Sequence, residues 1–112
     1  MKYSIGLKKN ADFSRVYRRG KSKANKQLVM YILKRQDQMN RMGISVSKKV
    51  GNSVIRHRIK RRMKEIYRLN EEKFGSGYDI VFIARNAAAE ASSEELRKSM
   101  FHLAGLHHIT NE

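Results

Sequence analysis

Residues 42–65 read MGISVSKKVGNSVIRHRIKRRMKE, and this stretch decides the architecture. Its first six residues alternate. Met42, Ile44 and Val46 fall on one face, and Gly43, Ser45 and Ser47 on the other, which is the pattern of a strand with one buried face. The period then changes after Gly51. Asn52 or Ser53 can cap a helix. At about 100° per residue, Ile55, Ile59, Met63, Ile66 and Leu69 form one apolar stripe running to Asn70. Arg56, His57, Lys60, Arg61, Lys64 and Arg68 fall on the remaining surface. Arg62 is a misfit that projects near the middle of the apolar stripe, where only its stem can snorkel.

Working outward, residues 37–41 are polar and read as a hairpin loop. Residues 27–34, rich in Val, Ile and Tyr, read as a largely buried strand. Residues 11–18 form a helix, with Asn10 to cap its start and Gly20 after its end. Phe13, Val16 and Tyr17 recur there at helical spacing. Downstream, residues 75–77 (Gly-Ser-Gly) break the chain, and residues 78–84 read as another buried strand. Ser92 with Glu95 makes a capping box for a last helix, whose Leu96, Met100, Leu103 and Ala104 face the core. The order is α-β-β-α-β-α, with room for one more short strand before Gln27. This is a mixed, two-layer α+β domain with helices packed on a sheet.

At 112 residues with 40% apolar and 31% charged side chains, the chain reads as a single globular domain over residues 1–112. The longest apolar run, residues 28–33, is too short to span a bilayer. No apolar signal-peptide core is expected at the N-terminus. With no cysteine, disulfides, thiolate zinc sites and cysteine nucleophiles are excluded. A cytoplasmic protein is the expectation.

The net charge is +15 and unevenly spread. Residues 1–68 hold 21 Lys and Arg against 3 Asp and Glu, whereas residues 69–112 hold 4 against 7. Solubility needs a net charge of only about 2–8, and self-repulsion destabilises a compact state. The excess points to a polyanionic partner, with nucleic acid ahead of an anionic membrane surface. The helix beginning at residue 52 sharpens this. Two lysines precede it and arginines fill its first turns, the wrong polarity for a helix N-terminus. Positive pairs at i, i+4 add repulsion. A segment that breaks both local rules is best explained as a functional surface.

Residues 48–65 resemble the signature of the protein subunit of bacterial ribonuclease P. The matching residues are Lys48, Lys49, Gly51, Val54, Arg56, Arg58, Lys60, Arg61 and Glu65. The likeness extends upstream through Leu7, Lys8, Lys9, Phe13, Val16, Tyr17 and Gly20, then Arg41, Gly43, Val46 and Ser47. Downstream it covers residues 79–85 and the last helix. There are three departures. Ser53 stands for an alanine, His57 for the central asparagine, and Lys64 for an arginine, which keeps charge but loses bidentate geometry.

The resemblance implies three helices around a four-stranded mixed sheet (α-β-β-β-α-β-α) with a left-handed crossover. It implies the protein component of a ribonucleoprotein endoribonuclease whose catalytic centre lies in the RNA. Mg2+ would be held mainly by that RNA, and the protein alone would not be catalytic. Arg56, His57, Arg58, Lys60, Arg61 and Lys64 would bind the catalytic RNA. Phe13, Tyr17, Tyr31, Ser45, Lys48 and Lys49 would form a cleft for the single-stranded 5′ leader of precursor tRNA. Aromatic faces beside a cationic groove suit single-stranded RNA, although spacing alone also reads Phe13 and Tyr17 as core residues one turn apart.

His102, His107 and His108 lack a carboxylate at ligand spacing and read as surface histidines rather than a metal site. Asp12, Asp37, Asp79 and the glutamates are scattered, with no pair resembling a protein nuclease centre. The alternatives are a structural RNA-binding protein, such as a small ribosomal protein, and a membrane-surface or DNA-compacting protein.

Overall fold

Alternation along the strands sorts apolar side chains onto two faces of one sheet, and helices cover both. The computed structural model describes residues 4–110. Its elements are β1 (Ser4–Gly6), α1 (Asn10–Arg19), β2 (Lys21–Ala24), β3 (Leu28–Lys34), β4 (Asn40–Ser45), α2 (Ser53–Asn70), β5 (Tyr78–Ala84) and α3 (Ser93–Leu106). Short 3₁₀ turns occupy Glu71–Lys73 and Asn86–Glu90. The sheet order is β1-β4-β5-β3-β2. β4 is parallel to both β1 and β5, and β3 is antiparallel to both β5 and β2. Parallel neighbours need a crossover connection, and α2 supplies it between β4 and β5.

The mixed sheet with three helices matches the expectation, but it has five strands rather than four. β2 is the short strand before residue 27. The addition is β1, three residues paired with β4 from Ser4↔Asn40 to Gly6↔Met42. Too short to carry a period, it gains its partners from a distant part of the chain. β4 also starts two residues earlier than residue 42, inside the stretch that reads as a hairpin loop. There the side chain of buried Asn40 donates to the Gly75 carbonyl at 2.5 Å and to the Tyr67 hydroxyl at 3.2 Å, and accepts from the Tyr78 amide at 2.9 Å. A fully partnered asparagine can sit inside a sheet.

The larger core joins Leu28, Met30, Met42, Ile44, Ile80 and Phe82 of the sheet to α2 and α3. The alternate strand positions, Tyr31, Leu33, Val81 and Ile83, face α1 through Val16 and Phe13. The layering is therefore helix, sheet, helix pair, one layer more than expected. β3 and β5 are apolar on both sides, and both sides must be covered.

Asn52 caps α2 by accepting from the Ile55 amide at 3.0 Å. Each repulsive i, i+4 pair costs this helix about 0.2–0.5 kcal/mol. Burying Ile59, Met63, Ile66 and Tyr67 contributes about 1.5–3 kcal/mol per large side chain, so packing wins. The stripe bends away from its expected end. Leu69 is 66% exposed, and Tyr67 is buried instead, its hydroxyl hydrogen-bonded to Ser4 Oγ at 2.9 Å. In α3, Ser92 and Glu95 form the capping box, and Leu96, Met100, Leu103 and Ala104 are buried. In α1, Lys9 rather than Asn10 takes the cap position, without a side-chain bond. Gly20 ends that helix against β3. A Cβ there would stand 2.7 Å from the Ile32 carbonyl oxygen.

Candidate nucleic-acid interface

α1 crosses the sheet and divides its face. Phe13 and Tyr17, one turn apart, lie on one side of the helix, and Asp12, Arg15 and Arg19 on the other. On the aromatic side, Phe13 rests on β4, where Gly43 leaves room for its ring. Tyr17 meets Tyr31 of β3 edge-on, with centroids 5.1 Å apart at 68°. Phe13 and Tyr17 centroids are 6.3 Å apart. Tyr17 and Ser45 are hydrogen-bonded, and partial burial raises the phenol's pKa above its ordinary value. Four of the six expected cleft residues, Phe13, Tyr17, Tyr31 and Ser45, thus meet in one place. Phe13 and Tyr31 are half-buried, while Tyr17 is 37% exposed. Lys48 and Lys49 are exposed on the turn that follows Ser45, closed by the Val50 amide on the Ser47 carbonyl at 3.1 Å.

α2 sorts its cations by side. His57, Lys60, Arg61 and Lys64 share one shallow groove with Glu65 and Arg68. Arg68 is spent on Glu65, which leaves the other four without an ion pair among the described residues. Arg58 turns the other way and donates to the Ala89 carbonyl at 3.1 Å. Arg62, the apparent misfit, follows it one turn later and donates to the Ala91 carbonyl at 3.3 Å. These carbonyls lie at and just past the end of the 3₁₀ turn, where the partial charge is negative. Arg56 is half-buried, and its Nε, like that of Arg58, is buried without a hydrogen-bond partner. The expected six therefore divide: His57, Lys60, Arg61 and Lys64 form the stripe, while Arg56 and Arg58 lie at its margins.

The other side of α1 holds a network not visible in the sequence. Arg41 grips Asp79 with two bonds, Nε to Oδ1 at 2.8 Å and NH2 to Oδ2 at 2.9 Å, and reaches Asp12 of α1 at 3.2 Å. Arg35 adds a bond to Asp79 at 3.0 Å and pairs with Asp37. Arg15 lies 3.4 Å from both Asp12 and Asp79. Burial alone would raise the Asp79 pKa, but the guanidinium groups of Arg41 and Arg35 outweigh it and hold the carboxyl below its usual value. The one available signal was a carboxylate heading an apolar strand, since a buried charge demands a partner. These carboxylates are already engaged by arginine, so the donor set does not fit a resident metal. Among the described residues, no cluster of three or more His, Cys, Asp or Glu is placed to hold one. None of the described helices is long and apolar enough to cross a membrane.

Half-buried aromatics on one face and a basic stripe on α2, carried by a small α+β scaffold, make up the candidate interface. The family model described as Ribonuclease P matches residues 1–107. The "Ribonuclease P protein component" of Alkaliphilus oremlandii is 52% identical over 103 residues, 92% of this chain and 90% of that relative. The protein of the same description from Clostridioides difficile is 54% identical over 99 residues, 88% of this chain and 87% of that relative. Among solved structures, the Staphylococcus aureus RNase P protein superposes with a TM-score of 0.88 at 37% identity, covering 96% of this chain and 98% of that one. The Thermotoga maritima RNase P protein gives 0.82 at 29% identity, covering 88% and 93%. The chain belongs to the ribonuclease P protein family.

Proposed function

We propose that this chain is a single RNA-binding domain acting in the cytoplasm as the protein subunit of a ribonucleoprotein endoribonuclease. It assists removal of the 5′ leader from precursor tRNA. The α2 stripe of His57, Lys60, Arg61 and Lys64, with Arg56 and Arg58 at its margins, docks on the catalytic RNA through phosphates. The cleft of Phe13, Tyr17, Tyr31 and Ser45, with Lys48 and Lys49 at its mouth, holds the leader. The observation that carries this reading is the meeting of Phe13, Tyr17 and Tyr31 on one sheet face, upstream of two lysines that have no ion pair among the described residues. Stacking accepts any base and lysines accept any backbone, which suits a substrate of variable sequence.

Hydrolysis belongs to Mg2+ held by the RNA. This chain's part is electrostatic and positional: its net charge of +15 replaces counterions that two approaching RNAs would otherwise have to condense. The test is reconstitution. With the catalytic RNA, the protein lowers the Mg2+ concentration needed for 5′ cleavage, while the protein alone cleaves nothing. A tagged protein that retrieves whole ribosomal subunits, and leaves the Mg2+ requirement of the catalytic RNA unchanged, would instead be a structural RNA-binding protein.

A further inference from the structure

The edge strand β2 borders two different surfaces. Ser22 pairs with Tyr31 and shares its face of the sheet, the face of the cleft. Lys21 and Lys23 point to the opposite side. There they line a separate groove with Arg19, Lys34, His107 and His108. Among the described residues, no acidic side chain lines it. Among the described residues, none of Arg19, Lys21, Lys23 and Lys34 has a carboxylate partner, unlike Arg15, Arg35 and Arg41. Tyr78 and Leu106 give the groove an apolar floor. His107 is bonded through Nε2 to the Met30 carbonyl at 2.8 Å. Its pKa is lowered by burial, against that bond, and further by Lys23, His108 and Lys21. The groove thus holds positive potential that no carboxylate among the described residues meets. Lysines on an edge strand also discourage sheet-to-sheet pairing. That accounts for Lys21 and Lys23 but not for Arg19 and Lys34, brought to the same place from α1 and β3.

We infer that this groove receives the phosphates of the leader's distal nucleotides, those lying further from the cleavage point than the ones in the cleft. The inference rests on the leader reading above and extends it. α2 and Lys48–Lys49 follow β4, so a catalytic RNA on α2 puts the cleavage point at the β4 end of the cleft. β2 lies three strand spacings away in the order β4-β5-β3-β2, about 14 Å. A strand leaving the cleft over Tyr31 reaches Ser22, then the open edge of β2, and on passing that edge meets Lys21 and Lys23. Cationic side chains with one aromatic ring, Tyr78, among them are what a single strand needs next.

The experiment is a series of precursor tRNAs with leaders of about 2 to 16 nucleotides. Each is bound by the complex of catalytic RNA with either wild-type protein or Lys21→Ala/Lys23→Ala/Lys34→Ala. All three lysines are exposed, and matching melting curves verify folding. Wild-type affinity should keep rising after the cleft is filled, with a log–log salt slope steeper by about 0.7 for each added phosphate. The triple variant should equal wild type on short leaders and lose the later rise. The inference is overturned if wild-type affinity stops rising at short leaders, if the variant follows the wild-type profile, or if it weakens all substrates equally. If neither protein responds to leader length at any point, the cleft reading itself fails, and the inference with it.

Discussion

The ring of Phe13 occupies the space that a side chain at position 43 would need. A Cβ on Gly43 would stand 2.6 Å from Phe13 Cζ and 2.8 Å from Cε1, closer than any real contact allows. The bare Cα of Gly43 therefore sets how near α1 approaches β4, and with it the width of the cleft beside Tyr17. Gly43→Ala should cost about 1–3 kcal/mol by overpacking. It should weaken leader-bearing substrates while sparing affinity for the catalytic RNA. Thermal melts together with separate titrations of the two RNAs check both halves.

Tyr31 tests the stacking role directly. Tyr31→Ala should cost leader binding about 1–3 kcal/mol, the range for one base on one aromatic face, and Tyr31→Phe should restore most of it. Equal losses of leader affinity in both variants would assign the effect to the hydroxyl instead.

Two arginines three positions apart on α2 should behave differently. Arg61 is exposed on the stripe, whereas Arg58 donates to Ala89. Arg61→Ala should reduce the log–log salt slope for RNA docking by about 0.7–0.9 and leave the melting temperature unchanged. Arg58→Ala should lower the melting temperature as well, because a backbone carbonyl loses its charged donor. Identical melts for both variants would count against the division of the helix into a free stripe and a tied margin.

Asp79 is the anchor for three arginines, and its carboxyl is held below the ordinary value by Arg41 and Arg35 against the opposing effect of burial. A depressed folded-state pKa contributes stability that is fully present above the unfolded value, near 4. That contribution is lost as pH falls through the folded value. Asp79→Asn should therefore cost about 1.5–3 kcal/mol at neutral pH, since partly buried Arg41 and Arg35 lose charged hydrogen bonds and keep only Asp12 and Asp37. The gap to wild type should narrow below about pH 4. Denaturant melts at neutral pH and at about pH 3 measure this, and a gap that stays constant with pH would mean that the charge on Asp79 is not the cause.

Elements with a strong local signal were legible in the sequence. The strand expected over residues 78–84 is β5 itself, and Ser92 with Glu95 marked the start of α3. What escaped depended on distant partners. Ser4–Gly6 is a strand only because β4 lies beside it. Asn40 reads as loop until Gly75, Tyr67 and Tyr78 surround it. Arg62 looked misplaced because the carbonyl that receives it lies 29 positions away. In the candidate site, the aromatics could be named from their residues, but their meeting across α1, β3 and β4 could not be counted from spacing. The arginine network around Asp79 left one trace, a carboxylate at the head of an apolar strand.

The uneven spread of charge also has a kinetic consequence. The segment after residue 68 holds 7 acidic against 4 basic residues, and the segment before it 3 against 21. The excess of cations gives the molecule a strong positive field. That field draws a polyanion in before contact is made. Capture can then approach the diffusion limit at low ionic strength and slow steeply as salt is added. Glu94 and Glu95 in the first turn of α3 do little to oppose it, because Arg97 and Lys98 follow them in the same helix.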